Sequence, residues 1–163
     1  MPEQIDLDIT YLKMASEWAQ LSKAVRRKVG CLIVKDDQII SDGYNGTPAG
    51  YDNTCEFVNE SFLDQAPDKL QTKPEVLHAE SNALMKLAKS TNSSTGSTIY
   101  LTMSPCFDCA KLIIQAGVLR VVFSETYRNQ EGIKFLRSNN VIAECVTVPE
   151  IRTISAVHDS YDC

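Results

Sequence analysis

The chain has no long apolar run. Nowhere in its 163 residues is there a stretch near the roughly 20 apolar residues that a membrane-crossing helix needs. The first residues, Met1-Pro2-Glu3-Gln4-Ile5-Asp6, are acidic and have no apolar core, so they are not expected to act as an export signal. A cytoplasmic protein without membrane contact is expected. Positive charge is short: 16 Lys and Arg against 21 Asp and Glu give a net charge of −5, which disfavours a dedicated polynucleotide binder with its basic face. Aromatic residues make up only 7%, too few to suggest a base-stacking channel for single strands. The six cysteines do not have the spacing of a secreted disulfide framework. Cys31, Cys55, Cys145 and Cys163 are scattered and read as free thiols. Only two histidines are present, His78 and His158, and the latter sits in a polar tail. No repeat, low-complexity tract or second domain interrupts the chain. Residues 1–163 are expected to form one domain with a real core.

Apolar spacing then gives the elements. Met14, Trp18, Leu21 and Val25 recur at helical intervals, predicting an amphipathic helix from about Asp8 to Lys23, capped by Asp6 or Asp8. A basic cluster at its end, Lys23, Arg26, Arg27 and Lys28, reads as a solvated helix terminus or a local anion site. Val29–Val34 is a β-branched run and Gln38–Gly43 a second strand; Asp36-Asp37 turns between them, giving a hairpin. Gly43 to Gly50 is an ordered loop rich in glycine. Residues 51–74 have no clear period and read as an irregular surface insertion with room for short helices. A helix over Glu75–Lys89 should bury Leu84, Leu87 and Ala88, and Ser90–Ser97 is a polar loop. Next come a strand at Thr98–Met103, a helix with Pro105 in its first turn ending near Gly117, and a strand at Val118–Phe123. Strand, helix and strand in so few residues form a right-handed βαβ unit with parallel strands. A helix at Gln130–Asn139 and a strand at Val141–Val148 complete the pattern.

His78-Ala79-Glu80 and Pro105-Cys106-Phe107-Asp108-Cys109 carry the chemistry. Together they match H-x-E…P-C-x-x-C, the general signature of zinc deaminases acting on nucleobases. Cys106 and Cys109 are three apart, so both sulfurs face one way at a helix start, where the helix dipole favours thiolates. His78 adds a neutral imidazole. Three protein ligands leave the fourth zinc position for a water, whose pKa the ion lowers toward neutrality. Glu80, two residues from His78, is placed to move the protons as general acid and base. A lone C-x-x-C also fits a redox pair or half of a structural zinc knuckle. A structural site needs a fourth protein ligand, and only His158 and Cys55 are remote candidates.

The chain resembles deoxycytidylate (dCMP) deaminases of the cytidine deaminase-like superfamily, from about Tyr11 to Val146. The likeness rests on Ser22-Lys23, Val29-Gly30, Gly43-Tyr44-Asn45-Gly46-x-Pro48-x-Gly50, His78-Ala79-Glu80-x-Asn82-Ala83 and the run from Pro105 through Gly117. The G-Y-N-G-x-P-x-G loop, with histidine as first ligand, points to the dCMP branch, of viral or phage type. The resemblance implies a three-layer α/β/α sandwich with a five-stranded mixed sheet. It also implies one catalytic zinc per chain on His78, Cys106 and Cys109, and hydrolysis of dCMP to dUMP and ammonia with Glu80 as the catalytic residue. Ser22, Lys23, Asn45, Ala79 and Tyr127 are the implied substrate contacts, although Lys23 equally suits a helix end and Tyr127 equally suits packing. Tyr44, Gly46, Thr47 and Gly50 are the implied allosteric contacts for dCTP as activator and dTTP as inhibitor, with Mg²⁺ on the triphosphate. A homohexamer is implied as well. The roles of Arg26, Arg27 and the 51–74 insertion stay open. So do two other readings: a deaminase of dCTP or single-stranded polynucleotide, and a non-catalytic zinc protein that senses nucleotides.

Overall fold

The structure, a computed structural model, describes residues 1–58 and 70–149. The tail beyond 149, which includes His158 and Cys163, lies outside the described residues. Among the described residues eleven elements follow in order: α1 (Gln4–Ala19), β1 (Gly30–Lys35), β2 (Gln38–Tyr44), β3 (Glu56–Val58), β4 (Leu70–Thr72), α2 (Ala79–Leu87), β5 (Thr98–Leu101), α3 (Phe107–Gln115), β6 (Arg120–Phe123), α4 (Glu131–Ser138) and β7 (Ile142–Cys145).

Five strands build the main sheet in the order β2-β1-β5-β6-β7. β1 and β2 form the expected antiparallel hairpin, with Lys35 opposite Gln38. Asp36 and Asp37 turn between them at φ of 49° and 59°, the paired left-handed geometry of a two-residue hairpin turn. β5 and β6 are parallel, with α3 as their crossover, and β7 adds in parallel on β6. The sheet is therefore mixed, and it is covered on both faces. One face packs against α2, α3 and α4 through Ile33, Ile99, Val121, Phe123, Leu84, Ile113 and Leu136. The other packs Leu32, Tyr100 and Val122 against Leu12 and Ala15 of α1. These are the three layers that the resemblance implied. None of the described helices is long and apolar enough to cross a membrane.

Several expectations need correcting. α1 begins earlier and ends earlier than its periodicity predicted, and it buries Asp8, Leu12, Ala15 and Ala19. Most of the predicted stripe faces outward: Met14, Leu21 and Val25 are 42%, 51% and 73% exposed, while Trp18 is half-buried. Neither Asp6 nor Asp8 is the cap, because the N-cap is Glu3 and no side chain bonds there. Asp8 instead forms a two-pronged ion pair with Arg120 at 2.7 Å on each oxygen and accepts a hydrogen bond from the Tyr100 hydroxyl at 2.8 Å. The basic cluster lies in the irregular connection between α1 and β1, beyond the helix end. In the insertion, the described residues form the short antiparallel hairpin β3–β4 and no helix. α2 starts at Ala79 rather than Glu75, and Ala83 rather than Ala88 joins Leu84 and Leu87 in the core. α3 starts after Pro105, with Cys106 as its N-cap. Cys31 and Cys55 are free and buried, as expected, but Cys145 is disulfide-bonded.

Candidate metal centre

Two helix starts meet above the sheet. His78 is the N-cap of α2, in extended backbone, and Cys106 is the N-cap of α3 in the same geometry. At α3 the local sequence explains the start: Pro105 keeps the residue before it extended and cannot donate to a preceding turn. α2 is set close onto β2, since a Cβ on Gly43 would lie 2.3 Å from the Ala79 carbonyl oxygen. The Gly46 and Leu77 backbones exchange two hydrogen bonds of 3.1 and 2.9 Å, fixing the glycine-rich loop one residue before His78. Asn82 tightens the same junction by donating to the Tyr44 carbonyl at 2.9 Å.

The convergence is close. His78 Nδ1 lies 3.4 Å from Cys106 Sγ and 3.5 Å from Cys109 Sγ, and the three ligand atoms lie within 4.8 Å of one another. A tetrahedral zinc with ordinary Zn–S and Zn–N bonds would set nitrogen and sulfur about 3.6 Å apart. The donor set therefore fits that ion in both spacing and chemistry. Cys109 is buried, Cys106 half-buried and His78 exposed, so the cluster opens toward solvent on the imidazole side.

The electrostatics favour a cation. The Cys106 thiol is drawn down to about 4, first by the hydrogen bond from Cys109 and also by His78. Cys109 is pushed upward as the partner that keeps the shared proton. The His78 imidazole is raised, chiefly by its contact with the Cys106 sulfur. Two helix N-termini add positive potential that suits thiolates. Glu80 sits behind this cluster and is 4% exposed. Burial raises its carboxyl above the ordinary range, against the opposing pull of its own backbone N–H and His78. A carboxyl raised in this way suits a group that must both take and give a proton.

The family model for the cytidine and deoxycytidylate deaminase zinc-binding region matches residues 5–125. The chain belongs to this family. It is 36% identical to the deoxycytidylate deaminase of Enterobacteria phage T4 over 155 residues, covering 76% of this chain and 80% of that one. It is 38% identical to the human deoxycytidylate deaminase over 124 residues, covering 74% and 66%. Among solved structures, the dCMP deaminase of cyanophage S-TIM5 in complex with dCMP and dUMP superposes with a TM-score of 0.79 at 39% identity, covering 90% of this chain and all of that one. The family's zinc-binding region thus includes the whole His78, Cys106 and Cys109 cluster.

The other candidate residues take the following positions. Ala79 is fully buried between His78 and Glu80. Ser22 is buried, and its hydroxyl donates to the Asn45 carbonyl at 2.7 Å. Asn45 accepts from the Val29 N–H at 2.8 Å and donates to the Arg27 carbonyl at 2.9 Å, so both of its amide atoms hold backbone. Lys23 is exposed. Tyr127 is 39% exposed, and its N–H donates to the Ser104 hydroxyl, two residues from Cys106. Tyr44 and Thr47 are half-buried, Gly46 buried and Gly50 exposed at φ 94°. Thr47 donates to the Asp52 carbonyl at 2.6 Å.

Arg27 was given no role by sequence. Its guanidinium contacts Met103 Sδ at 3.1 Å and pairs with Glu125 at 3.8 Å. Met103 lies three residues before Cys106, so Arg27 is tied to the segment that leads into the second ligand motif. The basic run 23–28 was the one available signal, but it did not say which cation turns inward.

Proposed function

We infer that this protein is a zinc-dependent deaminase that hydrolyses dCMP to dUMP and ammonia and so supplies dUMP for dTTP synthesis. The observation carrying this reading is the meeting of His78, Cys106 and Cys109 with a buried Glu80 behind them. Identity of 36% and 39% to deoxycytidylate deaminases supports the choice of substrate.

His78, Cys106 and Cys109 would hold the zinc, one ion per chain. When bound, that ion supplies Lewis acidity that makes water nucleophilic near neutral pH. Glu80 takes the proton from the attacking water, passes it to the cytosine ring nitrogen N3, and delivers a proton to the amine leaving C4. Its burial suits both halves of that task. Ala79 would back the base from its buried place between His78 and Glu80. On this reading Tyr127 stacks on the base. Asn45 keeps one amide hydrogen and spare lone pairs for a sugar hydroxyl after bracing Arg27 and Val29. The phosphate is met by the cationic connection that carries Lys23, Arg26 and Arg27, with Ser22 supporting it from below.

Regulation belongs to the same reading. Tyr44, Gly46, Thr47 and Gly50 would receive dCTP as activator or dTTP as inhibitor, with Mg²⁺ on the triphosphate. Gly46 is bonded to Leu77, beside His78, which is a short route from that loop to the metal ligands. The protein is proposed to act as a single-domain cytoplasmic enzyme assembled as a homohexamer.

The test is loss of cytosine absorbance with purified, zinc-loaded protein. Substrates are dCMP, deoxycytidine, dCTP and a cytosine-containing single-stranded oligonucleotide, each with and without dCTP or dTTP plus Mg²⁺. Turnover of dCMP, raised by dCTP and lowered by dTTP, is expected. Preference for another substrate would overturn the dCMP assignment while leaving the zinc chemistry in place.

A further inference from the structure

Glu56 is a buried acid far from the metal ligands in sequence. It opens β3, is 7% exposed, and turns one carboxylate oxygen toward the connection between α1 and β1. That oxygen accepts two successive backbone hydrogen bonds, from Val25 at 3.0 Å and Arg26 at 3.1 Å. Consecutive N–H groups closing on one oxygen form an anion-holding concavity. Here the protein fills it with its own carboxylate. Glu56 pairs with Thr72 across the hairpin, and the Thr72 hydroxyl meets the Arg26 guanidinium at 3.4 Å. The two strands of this hairpin therefore grip Arg26 at both its backbone and its side chain.

The connection has no helix or strand between Gln20 and Val29 to set its shape. Its course depends on side-chain acceptors. Glu56 fixes Val25 and Arg26, and Asn45 fixes the Arg27 carbonyl and the Val29 N–H. Between these two clamps Arg27 reaches Met103, three residues before Cys106 in the chain, and Glu125. A long guanidinium side chain on an unbraced irregular segment would lose that aim to conformational entropy.

We propose that Glu56 is a positioning residue for phosphate recognition: it sets the bend at Val25–Arg26 and thereby the placement of the Arg26 and Arg27 guanidiniums toward the substrate phosphate. This gives the β3–β4 hairpin a function, and it rests on the deaminase reading. Glu56 touches no reacting atom. Its effect belongs in substrate affinity, not in turnover.

The test compares zinc-loaded full-length wild type with Glu56→Ala, Glu56→Asp and Glu56→Gln. It measures kcat and KM for dCMP, inhibition by dUMP and by deoxyuridine, and zinc content. In Glu56→Ala, KM for dCMP should rise about tenfold with kcat within about threefold of wild type, because loop order and not chemistry is lost. The dUMP inhibition constant should rise in parallel, while that of deoxyuridine, which has no phosphate, should not move. Glu56→Asp, whose carboxylate is drawn back, should fall between. Glu56→Gln keeps an oxygen acceptor and should restore wild-type values. An unchanged KM in Glu56→Ala, equal losses for dUMP and deoxyuridine, a fall in kcat or zinc alone, or failure of Glu56→Gln to rescue would each overturn the proposal. If Glu56→Ala does not fold, the Asp and Gln variants decide it by the same measures. A wild type that does not turn over dCMP would refute the deaminase reading itself, a result separate from any variant effect.

Discussion

Gly132 of α4 backs directly onto Pro105: a Cβ built on Gly132 would lie 2.1 Å from the Pro105 carbonyl oxygen and 2.9 Å from backbone atoms of Cys106. The obstruction is backbone, which cannot swing away like a flexible side chain. Gly132→Ala should therefore displace the Cys106 N-cap and weaken zinc binding before it unfolds the protein. A competitive chelator titration should show zinc affinity reduced by about tenfold or more. Wild-type affinity in that variant would mean that the Pro105–Cys106 turn is free to move.

The ligand set makes a second prediction. Removing one of three protein ligands leaves too few donors to hold a catalytic zinc. Both His78→Ala and Cys109→Ser should lose metal and activity together, read by metal analysis and by dCMP turnover on the same sample. Stoichiometric zinc in either variant would refute the assignment of that ligand.

Glu80 should separate the two readouts. Glu80→Gln keeps the shape of a buried side chain that is 4% exposed, and Glu80 is not among the three proposed ligands. The variant should retain zinc and lose about 10²–10⁴-fold in kcat, the usual worth of a general acid–base group. Activity close to wild type would remove Glu80 from the mechanism.

Stability should depend on Asp8. Burial alone would raise its carboxyl, but hydrogen bonds from Arg120, Gln4 and Tyr100 outweigh burial and hold it below the usual value of 3.8. A depressed carboxyl stabilises the fold at all pH above its unfolded value, and this contribution is lost as pH falls through the native value. Asp8→Asn should cost about 1.5–3 kcal/mol at neutral pH, since Arg120 loses its charge-assisted bonds to Asp8 but keeps Glu144 as counter-charge. Urea unfolding at pH 7 and below pH 3.8 should show the gap to wild type narrowing in acid. A gap that is constant with pH would mean that Asp8 contributes by packing and not by charge.

The sequence alone determined the elements whose signals are local. Alternation with a two-aspartate turn specified the β1–β2 hairpin. The crowding of strand, helix and strand specified the parallel pair β5 and β6. H-A-E and P-C-x-x-C picked out the three side chains whose ligand atoms converge, His78, Cys106 and Cys109, because a zinc site needs those residue types at such spacings. What failed were inferences about which face of an element is covered. α1 carries large apolar residues on its solvent side and packs with Leu12, Ala15 and Ala19, since small side chains let a helix lie close on a strand. Periodicity weighs size and hydropathy, so it chose Met14, Trp18, Leu21 and Val25. Asp8 read as a cap because its partner Arg120 lies 112 residues away. Glu56 and Arg27 had no motif at all. Only the tertiary structure brings a hairpin from the insertion against the basic connection and turns Arg27 toward Met103, because long-range hydrogen bonds and charge pairs depend on which surfaces meet, and chain spacing does not record that.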